Sequence, residues 1–178
     1  MTEAEATSAQ ESPFWRFSLR FYRQPGVADA CIALQEKAGV DVNLLLFLFW
    51  HAMRKRALSK KDVEMLEAGV GTWREATVIP LRTIRRKLKS PPDLIAPATA
   101  ELFRTKVKAI ELEAERLQQE AMYALAGATP FGREARSPEE AVRANIAAYE
   151  AMAHAAFPKP AVETLLAAFA GLERKPEE

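Results

Sequence analysis

The stretch GVDVNLLLFLFWHAMRKR, residues 39–56, carries seven consecutive apolar residues from Leu44 to Trp50. Seven residues sweep almost two helical turns, so no polar face is left, and a helix that is apolar all round has to be covered on every side. Lipid is the wrong cover. A membrane span needs about 20 such residues, and this run is flanked by Asn43 on one side and by His51 and Arg54 on the other. The stretch therefore predicts a central core helix, with no membrane span.

A chain of 178 residues, 49% hydrophobic and 28% charged, has enough material to build a core around such a helix; at this length roughly 70% of the unfolded surface can be buried without disulfides or metals. Cys31 is the only cysteine, which excludes an intrachain bridge and suggests a reducing, cytoplasmic setting. Residues 1–12, MTEAEATSAQES, have no basic start and no apolar centre. They read as a disordered acidic leader, not a signal peptide.

Helix signals follow one another along the rest of the chain. Ser12-Pro13 reads as an N-cap and first helical residue, opening a helix with Phe14, Phe17 and Phe21 on one side and an end before Pro25-Gly26. A second helix runs from Val27 to about Ala38, with Gly39 as its C-terminal stop and Cys31 on its apolar stripe. Asp41 caps the core helix, expected to reach about Ala57. Ser59 and Asp62 start a short helix ending at Gly69, and a capping box at Thr72 to Glu75 starts another to about Leu88, kinked or split by Pro80. From about Ala98 to Ala126, Phe103, Val107, Ile110, Ala114, Leu117, Ala121 and Ala124 follow a 4-3 spacing, the seam of a long packed helix. Residues 128–178 form a C-terminal helical extension. It holds a helix capped by Ser137, with Val142, Ile146 and Tyr149 on one face, and a last helix carrying Leu165 and Phe169. No stretch alternates long enough to argue for a strand, so the fold class is all-α, a compact bundle of seven or eight helices.

The string FWRFSLRFYRQPGVADACIALQEKAGVDVNLLLFLFWHA resembles the start of a proteobacterial domain-of-unknown-function family, number twenty-three-ninety. The resemblance rests on an FW-x-FS opening, a tyrosine before a PGV turn, a Cys-x-x-Leu-Gln helix and a G-x-D-V-N-L-L-L run, and it covers residues 13–127. It brings no activity with it.

Chemistry is thinly supported. His51 and His154 are the only histidines, so a triad or a histidine-rich metal site would depend wholly on tertiary placement. Glu150 and His154 have ligand-compatible spacing, and Glu111 with Glu115 share a helix face. The same acids alternate with Lys106, Lys108 and Arg116, which favours a solvated face. Gly69-Val70-Gly71 lacks the third glycine and the preceding strand of a dinucleotide loop, and there is no phosphate-loop lysine. No metal or cofactor is implied, and an enzyme is the weaker expectation.

Binding is the stronger one. Between Arg54 and Lys89 lie eleven Lys/Arg and four Asp/Glu, net +7, against −6 for the remainder. Arg54, Lys55, Arg56, Lys60, Lys61, Arg82, Arg85, Arg86, Lys87 and Lys89 could form one basic patch for an acidic protein, RNA or another polyanion. Alternatively, basic residues simply complement helix C-termini. Trp15, Gln35, Asp41, Asn43, Trp50, His51 and Trp73 are candidates for a small-molecule or lipid pocket if the aromatic groups converge, and otherwise Gln35, Asp41 and Asn43 serve the turn at Gly39. The leading expectation is an interaction or adaptor module that contacts a protein partner, or a second copy, through its basic end or its long seam helix.

Overall fold

A computed structural model describes residues 11–173; most of the expected leader, residues 1–10, lies outside them. Helix α1 (Pro13–Tyr22) is capped by the Ser12 hydroxyl, which accepts the Trp15 amide at 3.1 Å, and its Phe14, Phe17 and Phe21 are buried. Helix α2 (Val27–Ala38) ends at Gly39, whose φ of 65° is the left-handed conformation that a Cβ disfavours. Cys31 is fully buried on α2, and burial pushes its thiol pKa up to about 12.

Helix α3 (Val42–Met53) is the run that opened the sequence, and every residue from Asn43 to Ala52 is buried. Its rings meet neighbours on several sides. Phe47 lies edge-on to Phe14 at 4.9 Å, Phe49 stacks on Phe21 at 5.1 Å and Trp50 meets Tyr123 at 5.6 Å. Each fully buried ring of this kind contributes on the order of 3 kcal/mol. The helix stops at Met53, short of the expected Ala57, because Lys55 turns through φ 56° and Arg56–Ala57 forms a two-residue strand β1, antiparallel to β2 (Arg133–Glu134). These two short strands are the sheet content of the described residues.

Helix α4 (Lys60–Trp73) begins with the Ser59/Asp62 capping box, then runs on through Gly69 and Gly71 into a π-helical turn (Arg74–Val78) and α5 (Ile79–Lys87). The expected break at Gly69 and restart at Thr72 do not occur. Leu66, Val70 and Val78 continue one buried stripe across the region, and a Cβ at Gly69 would stand 3.6 Å from Leu125, in ordinary contact. The wide π turn comes just before Pro80, where a regular α turn would press the ring against the carbonyl four residues back. Pro80 therefore leaves one continuous rod, not two separate helices.

Helix α6 (Pro97–Ala128), 32 residues long, runs antiparallel to that rod: Trp73 bonds Ala114, and Arg85 reaches Glu111. Its buried side carries Ala100, Val107, Glu111, Ala114, Gln118 and Met122. The expected seam divides: Val107 and Ala114 are buried, whereas Phe103, Ile110 and Leu117 are rolled outward and exposed. Helices α7 (Pro138–Ala153) and α8 (Lys159–Glu173) complete eight α-helices among the described residues. Both join the main core: Ile146 and Tyr149 of α7 belong to it, and Phe169 of α8 meets Phe49 edge-on at 5.5 Å. No helix is long and apolar enough to cross a membrane among the described residues.

One amide ties α7 to the end of α3. Asn145 has no exposed surface; its Nδ2 donates to the Leu48 and Arg56 carbonyls at 2.8 and 3.1 Å, and its Oδ1 accepts the Leu58 amide at 2.6 Å. The backbone groups around β1 depend on it. Asn145→Leu, which keeps the branched outline but is bulkier and cannot hydrogen-bond, leaves them unpaired and is expected to lower unfolding free energy by roughly 3 kcal/mol. Urea titration checks this, and a loss below about 1 kcal/mol would show that the strand is held by other contacts.

Candidate functional site

At the N-terminal end of α3 the core turns polar. Asp41 caps the helix: its Oδ1 accepts the Asn43 and Leu44 amides at 2.8 and 3.3 Å, while its Oδ2 accepts Arg74 Nη1 at 2.8 Å and Gln118 Nε2 at 2.7 Å. Its own amide donates to the Tyr149 hydroxyl at 2.8 Å. One residue thus joins α3, the π turn, α6 and α7. Arg74 also forks onto Glu67, which, with Asp41, holds the guanidinium firmly charged. Burial, with the Asp41 charge added, raises the Tyr149 phenol above its ordinary range.

A second cluster stands beside the first. Arg82 donates to Glu111 Oε1 at 3.1 Å, Gln35 Oε1 at 3.0 Å and Glu115 Oε1 at 2.6 Å, and Arg85 donates to both oxygens of Glu111. Glu111 is only 5% exposed. The solvated face expected for these acids is therefore not found, because Arg82 and Arg85 reach across from α5 and make an inward carboxylate tolerable. Burial alone would raise Glu111, but the two guanidiniums overcome it and hold the carboxyl below its usual value. Glu115, served by Arg82 alone, is pushed upward by burial.

Between the α2–α3 turn and α5 lies a cleft of about 270 Å³, walled by Gln35, Asp41, Asn43, Arg74, Arg82 and Arg86 among others. Three residues anticipated for a pocket, Gln35, Asp41 and Asn43, meet here. The aromatic candidates do not join them. Trp50 packs among Phe14, Phe47 and Tyr123, with the Arg54 guanidinium 4.9 Å over its ring; Trp15 is buried on α1; and Trp73 is 40% exposed, its indole donating to the Ala114 carbonyl at 3.0 Å. Sequence reading places Tyr149 only on the apolar face of its helix and gives Arg74, Gln118 and Gln119 no part in the site. Only the length of the buried α3 hints that something must meet Asn43, whose Oδ1 accepts Gln119 Nε2 at 2.8 Å.

The ten basic candidates separate into two groups. Arg54, Lys55, Arg56, Lys60 and Lys61 lie at the start of the α4–α5 rod, and Arg82, Arg85, Arg86, Lys87 and Lys89 at its far end; the 28 residues between Lys60 and Lys87 span about 40 Å. Several have internal partners. Arg56 donates to the Phe131 carbonyl at 2.9 Å, Lys60 lies 3.5 Å from Glu64, and Arg86 stands 3.8 Å from Glu36. Glu150 and His154, the ligand-spaced pair, are separated by role: Glu150 accepts the Phe157 amide, and His154 ends α7 in a left-handed turn. Among the described residues no group of three His, Cys, Asp or Glu could hold a metal ion.

The far end of the rod also carries the most exposed apolar surface. Leu94 in the connector is 93% exposed, Leu102 71% and Phe103 54%, with Ile84, Ile95, Ile110 and Leu117 also exposed on the same hairpin. Phe103, Ile110 and Leu117 recur every seven residues and so line one stripe.

His51, by contrast, is buried inside a ring cluster of Phe47, Trp50 and Phe131, with both ring nitrogens unpaired to protein. Burial first, then Arg54 and Arg56, press its pKa down to about 4, against a weak opposing pull from Asp62. The unfolded imidazole takes a proton near pH 6.5 that the folded one refuses until about pH 4, so this contribution is complete above 6.5 and is lost as pH falls toward 4. Wild type is expected to lose roughly 3 kcal/mol from this source between about pH 7 and pH 4, and His51→Leu to lack that loss. Chemical denaturation at both pH values measures the difference, and equal slopes would assign the acid sensitivity to the carboxylates.

No curated protein and no solved structure matches this chain. A family match does exist, over residues 13–122, which take in α1 through most of α6 and with them Asp41, its partner Arg74 and the exposed hairpin. The chain belongs to the family described as protein of unknown function, DUF2390.

Proposed function

We propose that the protein is a binding module that docks a protein partner through the outer face of the α5–α6 hairpin. The observation that supports this reading is the concentration of exposed large apolar side chains there, above all Leu94, Leu102 and Phe103. Isolated exposed hydrophobics are ordinary on any surface, whereas a contiguous patch rimmed by polar groups marks an interaction site. Lys87, Lys89, Lys106 and Lys108 frame the same hairpin and form no ion pair among the described residues. The matching partner surface is apolar with an acidic rim, either on another protein or on a second copy.

RNA or another polyanion is the weaker reading. A nucleic-acid track needs neighbouring cations, and the ten basic candidates stand in two groups at opposite ends of the α4–α5 rod, with Arg82 and Arg85 engaged by Glu111. Docking through the hairpin predicts that Leu102→Ser with Phe103→Ser, both at exposed positions, leaves the helical content unchanged. The same change weakens the association of the wild type, whether with itself or with a captured protein, by roughly tenfold or more. Sedimentation at graded concentration and quantitative capture, each run beside the variant, read the two cases. An association that survives the double substitution unchanged, or a wild type with none, rejects the hairpin as the docking face.

A further inference from the structure

The cleft beside Asp41 has an unusual chemical bias. Its single carboxylate is saturated: both oxygens of Asp41 already accept two hydrogen bonds each, from Asn43 and Leu44 on one side and from Arg74 and Gln118 on the other. The Gln35 Oε1 is occupied by Arg82 and the Asn43 Oδ1 by Gln119. What those two amides have left is their NH₂ groups, which can only donate. Arg86 adds a half-exposed guanidinium, held by one loose contact with Glu36 at 3.8 Å. The carboxylates that neutralise Arg82, Glu111 and Glu115, belong to α6 and do not line the cleft.

The unengaged charged and amide groups of this concavity are donors, and the side-chain acceptor that remains is the Thr83 hydroxyl, which already donates to the Ile79 carbonyl at 2.8 Å. Such a cleft suits a ligand made of acceptors. From this we infer that the cleft binds a small oxyanion, a carboxylate or phosphate group, with Arg86 as the mobile clamp and the amides of Gln35 and Asn43 as fixed donors. At about 270 Å³ the space lies near the lower end of the range for small-molecule sites, which is roughly 300–1,000 Å³. It admits a metabolite with a few carbons, and not a nucleotide. Val78 and Ile79 contribute apolar wall on the α5 side, which gives such a ligand's carbon body a surface to lie against. The site is independent of the hairpin face proposed above, since Leu102 and Phe103 take no part in it.

The test is a titration of the ¹⁵N-labelled full chain, followed by NMR at constant ionic strength, with inorganic phosphate in one arm and succinate in the other. The expected result is saturable movement of the Gly39 and Val40 amides and of the Gln35 and Asn43 side-chain NH₂ signals in at least one arm. Movement with phosphate alone assigns a phosphate ester, with succinate alone a carboxylate, and with both the shared oxyanion chemistry. Arg86→Gln, at an exposed position, should weaken that binding by about tenfold. Lys87→Gln, the adjacent charge outside the cleft, should change it by less than about twofold. Two results overturn the inference: no movement of those signals in either arm up to concentrations on the order of 10 mM, or equal weakening by the two variants, which would mean diffuse attraction to positive charge.

Discussion

Helix α3 has no polar face, and the geometry of the whole molecule answers to that. Each helix that touches it must present an apolar side, which is why α1, α7 and the end of α6 supply Phe14, Ile146, Tyr149 and Met122 to one core. A buried helix still has polar ends, however, and its first amides need acceptors. Asp41 supplies them, but a buried carboxylate must itself be neutralised, and this draws in Arg74 and Gln118. The polar network is thus a consequence of burying α3 rather than an addition to it.

That consequence reaches α6. To meet Asp41, Asn43 and Arg82, the long helix turns Glu111, Gln118 and Gln119 inward, and a helix that points polar residues at the core leaves apolar ones elsewhere. Phe103, Ile110 and Leu117 are the residues displaced outward. Internal polarity and external apolarity on α6 are two views of a single rotation about its axis.

This rotation is also where sequence reading fails. The all-α class, the position of the core helix, the caps at Ser12, Asp41, Ser59 and Ser137 and the stop at Gly39 are local matters, settled by residues a few positions apart, and they are legible in the chain. The facing of α6 is set by partners more than 70 positions away, and periodicity alone assigns the apolar stripe to the inside. The same blindness covers Pro80, which marks a distortion without telling whether the helix ends or widens, and Glu111, which looks solvated until Arg82 and Arg85 are placed opposite. Of the candidate site, Gln35, Asp41 and Asn43 were visible as polar interruptions in apolar surroundings, whereas the cleft's arginines were read only as part of a charge run.

Cys31 lies in the middle of α2 with no exposed surface and with a thiol that stays protonated at any ordinary pH. Thiolate is the reactive form, so alkylating dyes and spin labels will pass this residue by while the fold is intact. The protein is therefore a single-label scaffold as it stands: a cysteine engineered on the hairpin or beside the cleft would be the one that reacts, with no native thiol to remove first.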